Sequence, residues 1–271
     1  MNETRSGAVA TARPPGEALE PLAARLRAAD DAAGPLGVAP GLRASGDGWF
    51  PAAELTRPDG RLADLVAETG RRWEAPPHVA AALWWKSFSY WTALPVALGW
   101  ALNRRVPLLT AETTLLSTPA AEPGMLVAMS EPRSAAGDVG ELGAVIAGTL
   151  LRELHAPVIE ALHGLTRAGR RGLWGSTAEA LVHPLTTFAG DLLDDPGDAA
   201  RTLLESIGEP VAGLVELPGM RRRTCCLWVT LGRGICPTCC VDDPGDAAPP
   251  APRRQERRNA EEQRGSIGAR S

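Results

Sequence analysis

The sequence predicts a mainly α-helical domain, with an α+β arrangement as the alternative, that ends in a cysteine-rich lobe. Apolar residues recur at helical spacing in several segments that begin with helix-capping residues. Between these segments, residues 106–129 are rich in threonine, leucine and proline, which favours a small central region of short strands and turns. All five cysteines of the 271-residue chain lie within sixteen residues near its end.

The first two predicted helices lie in the N-terminal quarter of the chain. One is expected over residues 17–32, where Leu19, Leu22 and Leu26 recur on one face. The other is expected over residues 61–71. A polar, glycine-rich connection separates the two.

The most hydrophobic unit, residues 76–103, is predicted to be a long helix that Pro95 kinks or breaks. Its aromatic residues have two interpretations: they fill the core, or they form a wall for a ligand to which Trp85 contributes. Lys86, the only lysine in the chain, is a candidate contact for an anionic ligand if it is exposed beside that wall. Five aromatic residues fall within eight positions here: Trp84, Trp85, Phe88, Tyr90 and Trp91.

Three helix starts are predicted in the C-terminal half from capping residues. Asp138 with Glu141 has the spacing of a capping box. Ser176 with Glu179 repeats that spacing. Asp195, which precedes a proline, opens a shorter helix.

The domain organisation follows from where apolar periodicity begins and ends. Residues 1–16 and 241–271 have none and are expected to be disordered tails. Residues 17–240 are expected to form one domain, whose last part, about 213–240, is the cysteine lobe.

Composition excludes several classes of function. The net charge of −4 argues against a nucleic-acid-binding protein. We expect no secretory signal, because the N-terminal residues contain no apolar h-region. We also expect no transmembrane segment, because no stretch of about 18 uninterrupted apolar residues exists. The expected location is the cytoplasm, where reducing conditions make clustered thiols metal ligands rather than disulfides. No dinucleotide-binding glycine pattern occurs, so electrons for redox chemistry would come from a partner.

The cysteine spacing is that of a soft-metal site. Cys236 and Cys239 form a chelating loop in which two intervening residues let both thiolates meet one metal. Cys225 and Cys226 are adjacent, so both can bind the same group only if the backbone turns there. Four thiolates suit structural zinc or a [2Fe-2S] cluster, and spacing alone does not choose between them.

Three segments resemble one family. The run Arg222-Arg223-Thr224-Cys225-Cys226, followed by Cys-x2-Cys, resembles the C-terminal motif of the FhuF-type ferric siderophore reductases. Residues 172–178, GLWGSTA, resemble the leucine-tryptophan-glycine helix start of that family. The aromatic helix that ends near Pro95 is similar to a region that precedes the family's central segment. The resemblance covers most of residues 60–240, and only the cysteine motif is highly specific.

The resemblance implies a [2Fe-2S] cluster held by Cys225, Cys226, Cys236 and Cys239. Nine residues separate Cys226 from Cys236 here, where the family has ten. Cys240 is therefore the alternative fourth ligand, although Cys239 preserves the two-residue chelate.

The implied function is one-electron reduction of a cytoplasmic ferric siderophore, of the hydroxamate type, with release of ferrous iron. The electron donor would be ferredoxin-like or another external protein. Arg221, Arg222 and Arg223 precede the cysteines and are candidates for attracting an anionic siderophore or an acidic donor. The competing hypothesis is a non-redox protein that binds a siderophore or a partner and holds structural zinc.

Overall fold

A computed structural model describes residues 18–57, 60–121 and 124–241 of the chain. The two predicted tails lie outside the described residues, apart from Val241. The described α-helices are α1 (Glu20–Ala33), α2 (Leu62–Trp73), α3 (Pro77–Asn103), α4 (Val139–Ile146), α5 (Ala156–Thr166), α6 (Arg170–Thr187) and α7 (Pro196–Ile207).

The prediction of a mainly α-helical fold is confirmed. The long helix α3 lies at the centre and packs along α6, with α2 and α1 beside it, while α4 packs on α7. The helix α3 is buried on almost all sides, and Trp85, Phe88 and Leu98 along it are fully buried. One continuous apolar core therefore joins these helices.

The central segment forms short strands, as predicted. A four-stranded sheet has the order β1-β5-β4-β2, in which β1 and β5 are parallel and the other neighbours are antiparallel. Two further sheets are antiparallel pairs, β3 with β6 and β7 with β8. The strands are β1 (Val38–Arg43), β2 (Phe50–Pro51), β3 (Arg105–Pro107), β4 (Thr114–Ser117), β5 (Leu126–Met129), β6 (Ser134–Ala136), β7 (Val215–Glu216) and β8 (Arg221–Arg222).

Two of the three predicted helix starts are confirmed. The Asp138 side chain accepts a hydrogen bond from the backbone N–H of Glu141, and the Glu141 carboxylate accepts one from the backbone N–H of Asp138, at the start of α4. The Asp195 carboxylate caps α7 by accepting from the N–H of Asp198. The third prediction is wrong, because Ser176 lies inside α6.

The predicted break at Pro95 is also wrong, since α3 continues through this residue to Asn103. A proline inside a helix removes one backbone hydrogen bond and crowds the preceding turn. Here Pro95 and its neighbours Leu94 and Val96 are buried. Packing on all sides outweighs the local preference of one residue.

The helical run Val139–Thr166 consists of α4, a nine-residue π-helix (Ala147–His155) and α5. By length and composition it is the one helix among the described residues that could cross a membrane. Half of its most apolar window is buried inside the fold, and buried core helices have the same composition. The absence of a transmembrane segment therefore stays a prediction.

Candidate functional site

The cysteine lobe, residues 213–240, lies against α6. A Cβ at Gly175 of α6 would lie 1.8 Å from Thr224 Oγ1, and one at Gly172 would lie 3.3 Å from the carbonyl oxygen of Cys225. Glycine at these two positions lets the backbone of α6 approach the segment that leads into the cysteines. The GLWG sequence is thus a contact surface for the lobe.

The backbone turns directly after the cysteine pair, as shared ligation requires. Leu227 adopts a left-handed conformation, with φ of 66°. Its backbone N–H donates to Cys225 Sγ at 3.3 Å, and the N–H of Val241 donates to Cys239 Sγ at 3.5 Å. A 3-10 helix, Trp228–Leu231, follows the turn.

Arg222 joins the lobe to the helices. Its side chain is fully buried, and Nη1 donates to Glu179 Oε2 at 3.1 Å. Its Nη2 donates to Ser176 Oγ at 3.0 Å and to the carbonyl oxygen of Gly172 at 3.2 Å. A buried ion pair with these additional hydrogen bonds fixes the orientation of both partners, because removing Glu179 would leave the buried Arg222 charge unpaired.

The same carboxylate reaches the chelating loop. Thr238, which lies between Cys236 and Cys239, donates from its hydroxyl to Glu179 Oε1. The Thr238 carbonyl accepts from the backbone N–H of Arg222 at 3.0 Å. Glu179 therefore positions the loop that carries two of the predicted ligands.

One pair of thiols has the separation of two ligands on one metal. Cys226 Sγ and Cys236 Sγ are 3.7 Å apart, and both residues are buried. Tetrahedral metal coordination with sulfur at about 2.3 Å places neighbouring sulfurs about 3.8 Å apart. These two cysteines therefore fit a metal site in donor chemistry and in the distance between their sulfur atoms.

Cys226 is the more acidic thiol of this pair. A hydrogen bond from Cys236 lowers the pKa of Cys226 to about 5, and the positive charges of Arg222 and Lys86 act in the same direction. The same hydrogen bond, together with burial, raises the pKa of Cys236. A thiolate is the form that binds a soft metal.

The other three cysteines are half-buried and free. Burial, followed by the neighbouring Cys225 and Cys239, raises the pKa of Cys240. Within the described parts of the chain, no group of three or more metal-binding side chains meets closely enough to hold an ion. The lobe thus provides the right donor type and one ligand pair, while the full set of four does not converge.

A cavity of about 700 Å³ lies between the lobe and the helices, and Cys236 lies on its wall. This volume is in the range of cavities that bind small molecules. Two of its lining residues, Trp73 and Trp228, are in direct edge-to-face contact, with their ring centroids 5.1 Å apart. Its polar side chains include Lys86, Tyr90, Glu179, His183, Arg233 and Thr238.

Two of these polar groups are hydrogen-bonded to each other. Tyr90 Oη lies 3.0 Å from His183 Nδ1. Burial, then the charge of Glu179, raises the pKa of Tyr90, and burial lowers the pKa of His183. Both side chains are therefore neutral at physiological pH. Lys86 Nζ lies 3.6 Å from Glu179 Oε1 and remains about one-third exposed.

The structure corrects two of the predicted binding residues. Trp85 is fully buried and donates from its indole N–H to the carbonyl oxygen of Leu173, so it belongs to the core and cannot contact a ligand. Arg222 is also buried, and its charge is already paired with Glu179. The aromatic helix exposes Tyr90 and Trp91 to the cavity instead.

The remaining candidates lie on the surface. Arg223 pairs with Glu216 at 3.1 Å, and both side chains are about half exposed. Arg221 donates to the carbonyl oxygen of Cys240 at 2.9 Å. Lys86 lies on the cavity wall, as the ligand hypothesis requires.

Sequence reasoning misses four residues of the site: Trp73, Glu179, Arg233 and Thr238. The sequence pattern assigns Glu179 to a helix cap. A serine and a carboxylate three residues apart can equally lie on one buried face inside a helix. Thr238 lies inside the Cys-x2-Cys loop, so its place in the motif could have identified it as a site residue. Trp73 and Arg233 come from segments far apart in sequence, so only the fold brings them together.

No protein-family model, no curated protein and no solved structure matches this chain. The resemblance to FhuF-type reductases therefore rests on the cysteine motif, the GLWG segment and the aromatic helix alone. It remains a prediction for both fold and function.

Proposed function

We propose that this protein is a cytoplasmic ferric-siderophore reductase with a [2Fe-2S] cluster in its cysteine lobe. The observation that carries the proposal is the position of Cys236, which is paired with Cys226 at 3.7 Å and also lines the cavity. A chelate in that cavity would lie next to the ligand set. Electron transfer needs only such proximity and a suitable potential.

Cys225, Cys226, Cys236 and Cys239 would hold the cluster, with Cys240 as the alternative fourth ligand. Bound there, a [2Fe-2S] cluster supplies one-electron transfer chemistry. In the overall reaction the ferric ion gains one electron from an external donor of the ferredoxin class, and the ferrous ion then leaves its oxygen ligands. No proton transfer is needed for this change.

The residues of the chain itself orient and shield the reactants. Glu179 and Arg222 fix the loop between Cys236 and Cys239. Trp228 of the lobe and Trp73 of α2 line the cavity in edge-to-face contact and would shield part of a bound chelate from water. Arg221 and Arg223 stay the candidate contacts for an acidic donor, which would compete with Glu216 for Arg223.

The deciding experiment is the visible spectrum of the anaerobically purified full-length protein, with iron and zinc content. A red-brown protein that bleaches with dithionite supports the proposal. Reduced protein should then release iron from a ferric siderophore to a ferrous-specific chelator.

The alternative function is non-redox binding of a siderophore or partner with structural zinc in the lobe. The observation that favours it is the same thiol pair, because 3.7 Å suits tetrahedral zinc equally well. A colourless protein with stoichiometric zinc would establish this alternative and rule out the reductase.

A further inference from the structure

The cavity beside Cys236 carries an excess of positive charge. Glu179 is the one carboxylate among its described lining residues, and this single negative charge is shared between the buried Arg222 and Lys86, whose Nζ lies 3.6 Å away. Lys86 and Arg233 lie on the wall in addition. Arg233 has no carboxylate partner in the described part of the chain, and its guanidinium lies 5.3 Å from the ring centroid of Trp73. An anionic ligand is therefore favoured over a neutral one.

Four large aromatic side chains form part of the cavity walls. Trp73, Tyr90, Trp91 and Trp228 line it from both the helices and the lobe. Indole and phenol rings bind other aromatic rings in offset or edge-to-face arrangements, which add to the gain from burial. Cations beside such rings attract electron-rich aromatic ligands as well.

We infer that the cavity selects a ferric chelate that is anionic and presents aryl rings, as a catecholate does. This inference rests on the proposed function and refines its substrate class. A ferric tris(catecholate) is an anion with aromatic ligands, whereas a ferric tris(hydroxamate) carries no negative charge at the metal centre and needs no aryl group. The expectation of a hydroxamate substrate comes from the family resemblance, while the charge and walls of the cavity favour the catecholate.

Redox-inert gallium complexes separate recognition from reduction. Ga³⁺ forms chelates of the same charge and similar shape as Fe³⁺, but it accepts no electron under these conditions. Calorimetric titration of the full-length protein with gallium tris(catecholate), gallium tris(hydroxamate) and gallium citrate compares an anionic aryl, a non-aryl hydroxamate and an anionic non-aryl chelate. We expect the catecholate to bind at least about tenfold more tightly than either of the others.

Two variants test which side chains are responsible. Lys86→Gln and Arg233→Gln should each weaken binding of the gallium catecholate by about three- to tenfold, because each removes one partly exposed cation. Arg27→Gln removes a surface arginine that pairs with Glu20 on α1, and it should leave affinity unchanged. Far-UV circular dichroism confirms that the variants are folded.

The same titrations can overturn the inference. Equal affinity for the three chelates, or a preference for the hydroxamate, contradicts it, as does full binding by the Lys86→Gln/Arg233→Gln double variant. If the gallium catecholate binds as expected but no ferric chelate is reduced, the reductase proposal fails and the inference about ligand class stands. If ferric hydroxamate is reduced while gallium catecholate does not bind, the reductase proposal stands and the inference about ligand class fails.

Discussion

The helical body, residues 18–212, and the cysteine lobe are stabilised by different interactions. The body buries long apolar side chains around α3, among them Trp85, Leu98 and Trp100. The buried residues of the lobe are Leu214, Val215, Arg222, Thr224, Cys226, Cys236 and Thr238. Apolar burial stabilises in proportion to the area removed from water. The lobe buries little apolar area, so its conformation depends on hydrogen bonds, on the buried Arg222–Glu179 ion pair and on the thiols.

This contrast has a functional reason. A rigid body provides a fixed wall for the cavity and a fixed surface, on α6, for the lobe. If the lobe binds a metal, as proposed, its thiols have to stay accessible, and a tightly packed apolar interior would not allow this. We therefore expect substitutions at the contact to loosen the lobe first and to leave the body folded.

The largest effect is expected for Arg222→Met. It removes the buried cation and leaves Glu179 with the partly exposed Lys86, 3.6 Å away, as its counter-ion, so the cost should approach the ~3–5 kcal/mol of a broken buried pair. Hydrogen exchange measured by mass spectrometry should accelerate over residues 213–240, while peptides of α3 remain protected. Arg223→Met is the matched control, because its pair with Glu216 is about half exposed and contributes at most about 1 kcal/mol. If both variants behave alike, the lobe is not anchored by Arg222.

Acid should weaken the body through His155. Burial lowers the pKa of this imidazole to about 3, from an ordinary value of 6.5. Because the unfolded chain binds the proton more readily, the free energy of unfolding falls as pH decreases from 6.5 towards 3. One such group changes the free energy of unfolding by at most about 1.4 kcal/mol per pH unit.

Urea unfolding across this pH range measures the slope. His155→Gln should flatten it, whatever the variant does to stability at neutral pH. The matched control is His78→Gln, an exposed residue at the start of α3, which should leave the slope as it is. A slope that persists in His155→Gln would show that other groups cause the acid sensitivity.

A smaller effect is expected for Gly175→Ala. The new methyl group would meet Thr224 at 1.8 Å, and overpacking of this kind costs about 1–3 kcal/mol. Limited proteolysis should cut the lobe faster than in the parent protein. Gly164→Ala is the same substitution in α5 at a position with open space, and it should stabilise by about 0.5–1 kcal/mol. Equal proteolysis of the two variants would contradict the close contact between α6 and the lobe.

The smallest effect on folding is expected for substitutions of the two cysteines that are candidates for the fourth ligand. Cys239→Ser and Cys240→Ser each replace a half-buried thiol, and each should change the free energy of unfolding by about 0.5 kcal/mol or less. Their effect on the bound metal should differ. We expect Cys239→Ser to lose visible absorbance and iron while Cys240→Ser keeps both. The reverse result would assign the fourth position to Cys240.

Much of the body can be predicted from the sequence, because its elements depend on local signals. The capping box at Asp138, the capped start at Asp195 and the strands of the central segment all follow from such signals. The continuation of α3 through Pro95 does not, since burial around that helix overrides a local preference. The roles of Ser176 and Glu179 could not be predicted from neighbouring residues either, because their partner, Arg222, lies more than forty residues away in the sequence.

By itself, the sequence determined the mainly helical fold, the position of the five cysteines and the two-residue spacing of Cys236 and Cys239, since each depends on residue type and short-range spacing. The tertiary structure alone decided that Trp85 is core, that Arg222 is an internal anchor rather than a surface charge, and that Cys236 lines a cationic aromatic cavity. These properties depend on which side chains from distant segments meet, and burial decides whether a charge is paired or available.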